Sequence, residues 1–205
     1  MMKNFSRWIM VMVMCFGVMG IALTAQAADK DYFAIKGGIY KPQSNNLSDF
    51  STGFNGEIVY GHYYNSNWAV ELGTGYFTTK ANQEANYPFR ASADLNIKTI
   101  PLAVSLKGII PVDKFELYGL GGIGAYFTFA DVDINYYGNR HVSYSDNNVL
   151  LGGFIGLGAQ YNFNPKMFVG AEAKYLWTTK TTFRDTDAEL DLSGIQATVN
   201  LGYRF

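Results

Sequence analysis

The sequence predicts an all-β fold: an eight-stranded antiparallel transmembrane up-and-down β-barrel, preceded by a cleavable signal peptide. Three observations carry this expectation. Residues Asp191 to Phe205 alternate, with Ile195, Ala197, Val199, Leu201, Tyr203 and Phe205 on one face and Gly194, Gln196, Thr198, Asn200, Gly202 and Arg204 on the other, the two-residue period of a strand. The composition joins 22 Gly to 15 Tyr and 15 Phe with only 16% charged residues, which suits many short strands. Short and long connections alternate along the chain, as in outer-membrane barrels.

The leader comes first. Lys3 and Arg7 precede an apolar run from Trp8 to Leu23, closed by the small-residue exit Ala25-Gln26-Ala27, so residues 1–27 read as a signal peptide cut after Ala27. The run is shorter than the ~20 apolar residues a membrane helix needs. The single cysteine, Cys15, lies inside it, so residues 28–205 carry no thiol or disulfide. Losing Lys3 and Arg7 from 16 basic residues against 17 acidic leaves a formal charge of about −3, too small to imply nucleic acid.

From Asp31 onward the alternating runs give strands over Tyr32–Tyr40, Gly53–Tyr64, Trp68–Thr79, Asp94–Ile110, Phe115–Ala130, Asn148–Phe163, Met167–Thr179 and Asp191–Phe205. Three connections are short: Asn65-Ser66-Asn67, Pro111-Val112-Asp113-Lys114 and Asn164-Pro165-Lys166, each with turn chemistry. Four are longer and polar: Lys41–Thr52, Lys80–Ala93, Asp131–Asn147 and Lys180–Leu190. A tilted strand crosses the hydrocarbon in about 9–11 residues, so the fourth to sixth strands should extend beyond it as a ribbon on the long-loop side.

Side-chain chemistry decides which face meets lipid. One set, including Phe33, Ile35, Ile58, Leu72, Ile100, Leu102, Val104, Leu106, Ile123 and Leu157, is a continuous apolar band. The other is small or charged, with Gly38, Gly61, Gly73, Gly75, Gly122, Gly124, Gly156 and Gly158 beside charged side chains. Inside an eight-stranded barrel, which side chains just fill, glycine makes room for long neighbours, so this set points inward. Aromatics at the strand ends (Tyr63, Tyr64, Trp68, Phe115, Tyr161, Phe163 and Phe168 by the short turns; Tyr76, Phe127, Phe129, Tyr175 and Trp177 by the loops) read as two interfacial girdles.

The inward charges are Lys36, Lys107, Lys174 and Arg204 against Glu57, Glu71, Glu116 and Glu172. Balanced signs favour a paired polar plug over a selective pore, which lines itself with one sign. Folding back at Pro111–Lys114 sets Lys107 opposite Glu116 with Glu71 beyond, while Lys36, Glu57, Glu172 and Lys174 lie nearer mid-height, in two ion-pair layers.

With these features the chain resembles the small outer-membrane β-barrel domain proteins of the OmpA, OmpX and OmpW type. The resemblance spans Ala28 to Phe205 and rests on the leader, Ile100-Pro101-Leu102, the segment Phe115-Glu116-Leu117-Tyr118-Gly119-Leu120-Gly121-Gly122-Ile123-Gly124, and the ending Leu201-Gly202-Tyr203-Arg204-Phe205. It implies location in the outer membrane of a Gram-negative bacterium with periplasmic termini, contact with lipid and lipopolysaccharide, and recognition of Tyr203 and Phe205 as an assembly signal by the barrel-insertion machinery. Asn200 stands where that signal usually has glycine. No periplasmic peptidoglycan-binding domain, as some relatives carry, is expected after Phe205.

The favoured function is a structural or surface-interaction scaffold whose loops, through Tyr136, Tyr137 and Arg140, contact an extracellular ligand. The alternative is a small porin-like channel, passing small apolar solutes sideways as the OmpW-type resemblance implies. A lipid A- or phospholipid-modifying enzyme ranks third: His141-Val142-Ser143 is similar to the His-x-Ser of lipid A deacylases, but no Glu follows in that hairpin, and two polar loop residues are the preferred reading. His62 has no second ligand at metal spacing, and Asp131, Asp133 and Asp146 lack the spacing of a calcium loop. Neither a metal nor a cofactor is expected, and the chain reads as a non-enzyme.

Overall fold

A computed structural model describes residues 30–43, 51–85, 91–136, 140–182 and 189–205; the leader lies outside them. Eight strands close a barrel: β1 (Asp31–Pro42), β2 (Gly53–Asn65), β3 (Trp68–Ala85), β4 (Ala91–Val112), β5 (Phe115–Tyr136), β6 (Arg140–Asn162), β7 (Met167–Thr178) and β10 (Gly194–Arg204). A two-stranded ribbon, β8 (Thr181–Thr182) with β9 (Glu189–Leu190), stands between β7 and β10. Neighbours pair antiparallel in chain order, and β1 against β10 shuts the cylinder, from Tyr32 beside Arg204 to Pro42 beside Gly194. Closure leaves no unpaired edge in the wall.

The three short connections lie at one end and are locally determined. Asn65 Oδ1 accepts the Asn67 N–H at 2.9 Å, and Asn164 Oδ1 accepts those of Lys166 and Met167, both at 2.8 Å, the side-chain turn that suits asparagine. Between β4 and β5, Asp113 takes a φ of 54°, a left-handed conformation that aspartate adopts more readily than most residues.

The long connections are shorter than the polar composition predicts. β3 runs on to Ala85 and β4 begins at Ala91, while β5 and β6 stay paired up to Tyr136 and Arg140. Most of the predicted Lys80–Ala93 and Asp131–Asn147 loops is therefore hairpin. Backbone pairing continues through these stretches although their sequences carry no apolar alternation. The last strand starts at Gly194 rather than Asp191, because Asp191 Oδ1 caps the Ser193 N–H at 2.9 Å and bends the chain first.

Alternation sorts the wall cleanly. Ile35, Ile58, Val104, Ile123, Ile155, Leu157 and Val199 face outward and are exposed, whereas Lys36, Glu71, Lys107, Glu172 and Lys174 face in and are buried. The lumen is not only small and charged, however. Two apolar clusters share it: Tyr32, Val59, Ile109, Tyr118, Leu120, Phe154 and Phe168 lower down, and Tyr40, Phe77, Ile97, Tyr126, Leu150, Leu176 and Leu192 toward the long hairpins. Tyr63 and Phe168, placed in the girdle by sequence, belong to this interior: Phe168 is buried and Tyr63 packs against the lower cluster.

Glycine admits these rings. A Cβ on Gly158 would run into the Tyr118 ring and one on Gly202 into that of Phe168. The inward glycines thus accommodate aromatics as well as charged side chains; Gly156 lies under Lys174. Ring over glycine on a neighbouring strand is a recurrent sheet device.

Candidate functional site

The lumen gathers every inward charge named from sequence into two groups. In the larger, Lys174 Nζ donates to both Glu57 oxygens at 2.7 Å and lies 3.6 Å from Glu172. Glu172 also accepts from Lys36 Nζ, at 3.0 and 2.8 Å. Lys36 then reaches Glu71 at 3.5 Å, and Glu71 meets Lys107 at 3.3 Å. A continuous chain results: Glu57, Lys174, Glu172, Lys36, Glu71, Lys107. Two tyrosines finish it, since the Tyr32 hydroxyl donates to Glu71 at 2.5 Å and that of Tyr118 to Glu172 at 3.1 Å.

The smaller group sits at the short-turn end. Arg204 Nη2 donates to Glu116 at 2.9 Å, to Asn162 Oδ1 at 2.9 Å and to the Tyr63 hydroxyl at 3.1 Å, with its guanidinium 4.9 Å from the centre of the Phe168 ring. Glu116 is therefore held by Arg204, not by Lys107 as the hairpin geometry predicts. Lys107 turns up the bore to Glu71 and lies 3.9 Å from the centre of the Tyr118 ring. Gln160 connects the groups, accepting from Lys107 at 3.1 Å and donating to Glu116 at 2.9 Å.

Sequence reasoning missed the aromatic members, Tyr32, Tyr118 and Tyr63. Their signal was parity: Tyr32, Lys36 and Tyr40 share one face of β1. It also missed that β1 reaches across β10. Lys36 finds Glu172 on β7, and Tyr32 meets Phe168 edge-on at 5.6 Å, because the β10 positions registered with Lys36, Glu172 and Phe168 carry the short side chains of Asn200, Thr198 and Gly202.

Outside the bore, Tyr203 and Phe205 point outward, and Phe205 stacks on Phe33 of β1 with centroids 5.4 Å apart. Tyr136 ends β5 and pairs in register with Arg140 of β6; Tyr137 lies outside the described residues. His141 and Ser143 fall on β6 opposite Asn135 and Asp133, with Asp131 on β5 and Asp146 on β6. His62 Nδ1 lies 2.6 Å from Asp31 Oδ1, which also accepts the Tyr60 hydroxyl at 2.8 Å. Among the described residues no three metal-ligating side chains converge.

The outer membrane protein beta-barrel domain family matches residues 13–205. The chain belongs to that family. Its barrel therefore resides in the outer membrane of a Gram-negative bacterium, and the three short turns mark the periplasmic end. Solved barrels agree in fold. A major outer membrane protein from Thermus thermophilus matches with a TM-score of 0.59 at 12% identity, over 87% of this chain and 100% of that one. Neisserial surface protein A gives 0.56 at 17%, over 88% and 100%, and OprG from Pseudomonas aeruginosa gives 0.55 at 14%, over 87% and 98%. No curated protein matches the chain. Family members and these neighbours are outer-membrane barrel proteins.

Proposed function

We propose that this family member is a sealed, lipid-embedded scaffold that presents its long β3–β4 and β5–β6 hairpins to an extracellular ligand, contacted through Tyr136, Tyr137 and Arg140. One observation carries the reading: Lys36 on β1 grips Glu172 on β7 inside a chain of six alternating charges, both side chains nearly wholly buried. Such a chain, with an apolar cluster above it, obstructs the axis. Leaving any member unpaired in that bore is costly, which opposes opening along it. In planar bilayers the protein is expected to show no steady single-channel conductance; an ohmic channel would overturn the proposal.

In this reading residues 1–27 direct export and are removed, the outward belt contacts lipid and lipopolysaccharide, and Tyr203 and Phe205 engage the barrel-insertion machinery. No catalytic role is assigned to His141 or Ser143: an unchanged lipid A mass spectrum on overexpression fits, and a modified one does not.

A second reading, sideways passage of small apolar solutes, is favoured by a break in the hydrogen-bond ladder of the wall. The β3–β4 ladder is paired from Trp68–Gly108 to Thr74–Leu102 and resumes at Phe77–Thr99. The skipped step sets Gly75 and Tyr76 beside Pro101 and Ile100; Pro101 has no N–H, and the Thr74 hydroxyl donates to its carbonyl at 2.8 Å. If solutes leave here, Pro101→Val, which supplies the missing donor, slows apolar solute uptake into proteoliposomes; equal uptake in both proteins removes this reading.

A further inference from the structure

The outward wall nearer the short turns has one polar break. Among the described residues its strand positions are apolar, aromatic or glycine except at Asp31 on β1 and His62, registered beside it on β2. Tyr32 is buried in the bore, so Asp31 points out. The pair lies at the periplasmic boundary, where a charge in a barrel wall costs little. Rings gather there too: Tyr60, Phe33 and Phe205 form a row with neighbouring centroids 5.4 Å apart.

The pair is built to accept hydrogen bonds. A carboxylate only accepts, so His62 Nδ1 carries the proton it shares with Asp31 Oδ1 at 2.6 Å, and the Tyr60 hydroxyl donates to the same oxygen at 2.8 Å. Asp31 Oδ2 and, in the neutral ring, the His62 Nε2 lone pair take no hydrogen bond among the described residues. The Asp31 side chain is 13% exposed and that of His62 44%, so protein covers most of the carboxylate while the imidazole stands open. Just before β1, the exposed Lys30 makes no ion pair among the described residues. Its carbonyl accepts the Tyr63 N–H at 2.7 Å, which fixes its backbone at the height of His62. Two spare acceptors beside a spare cation complement a ligand that carries both signs.

We propose that Asp31, His62 and Lys30 bind the headgroup of an inner-leaflet phospholipid that bears a primary ammonium beside its phosphate. The ammonium donates to Asp31 Oδ2 and His62 Nε2, next to the Tyr60 ring, whose face also attracts cations. Lys30 meets the phosphate, and the acyl chains lie on the exposed Phe33, Ile35 and Ile58. A headgroup without the ammonium sets its negative charge against Asp31, and a trimethylated one has no N–H to donate. The inference rests on the outward belt contacting lipid and on the periplasmic placement of the short turns, and it is independent of whether the bore is sealed.

The test is native mass spectrometry of the folded protein in detergent micelles doped with chain-matched phosphatidylethanolamine, phosphatidylcholine or phosphatidylglycerol, counting lipids retained per barrel. The wild type is expected to retain one phosphatidylethanolamine about tenfold more strongly than either other lipid, the scale of one hydrogen bond to a charged group. Soluble glycerophosphoethanolamine is not expected to displace it. Asp31→Asn abolishes the preference, as does His62→Phe, which keeps a ring on the wall, and Lys30→Gln weakens retention of phosphatidylethanolamine and phosphatidylglycerol alike. Unheated gel mobility selects the variants that fold. Equal retention of the three lipids by the wild type, a preference for phosphatidylglycerol, or a preference that survives His62→Phe overturns the site. Displacement by the soluble headgroup overturns a membrane lipid as its occupant. None of these readouts measures conductance, so the sealed-scaffold proposal fails or survives separately.

Discussion

Lys36 is the node of the lumen: its ammonium holds Glu172 and Glu71 together, and its side chain is almost fully buried. Lys36→Met leaves Glu172 with Lys174 at 3.6 Å and Glu71 with Lys107 at 3.3 Å as their remaining cations and the buried chain one positive charge short; it is expected to cost about 3–5 kcal/mol, as for breaking a buried ion pair from one side. Glu116→Gln removes the charge to which Arg204, Gln160 and Asn162 donate, but it does so at the barrel end, where the carboxylate is partly exposed, keeps one acceptor oxygen, and leaves Arg204 its bonds to Asn162 and Tyr63. About 1.5–3 kcal/mol is expected there, as for a charged hydrogen bond. Urea midpoints in lipid vesicles compare the two; an equal or larger loss for Glu116→Gln would contradict the arrangement. Which residues carry charge inward was legible from parity. Which cation meets which anion was not, because parity sets four cations and four carboxylates in one bore and the choice depends on Tyr118, Gln160 and Phe168, which pack against Lys107 and Arg204.

At the scale of strands, glycine does two different things on opposite faces of β5 and β6. Gly158 faces inward, where a methyl group would collide with the Tyr118 ring and the Ala171 carbonyl. Gly119 faces outward, where a methyl group would meet nothing nearer than 3.8 Å. Gly158→Ala is therefore expected to lose about 1–3 kcal/mol by overpacking and Gly119→Ala less than about 0.5 kcal/mol, as for surface changes. The folded fraction resolved by unheated gel electrophoresis across a urea series distinguishes them; matching losses would mean that rings over glycine do not set the lumen packing. Strand centres were legible because lipid on one side and a filled bore on the other enforce a period of two. Strand ends beyond these centres were not: segments such as Asp131–Tyr136 and Arg140–Asn147 pair in register with no apolar alternation in their sequence to announce it.

For the whole molecule, closure by β1 and β10 brings the two ends of the described chain together: Phe205 N–H donates to the Asp31 carbonyl at 2.9 Å, and the Phe205 ring covers Phe33. Removing the Phe205 ring, as in Phe205→Ala, is expected to lower the yield of folded barrel in the outer membrane more than Phe163→Ala, an exposed aromatic away from this closure; equal yields would argue against an assembly role. The exported protein is expected to have a mass that begins at Ala28, and a retained leader would refute cleavage after Ala27.

The sequence by itself determined the closed eight-stranded topology, the lipid-facing band and the inward charges, since all three follow from a two-residue period and from the cost of exposing polar backbone to hydrocarbon. Only the tertiary structure decided the pairing within the bore, the aromatic filling, and the unpaired ladder step beside Pro101. Those depend on how far each side chain reaches across a curved wall, a distance that exists only once β1 has met β10.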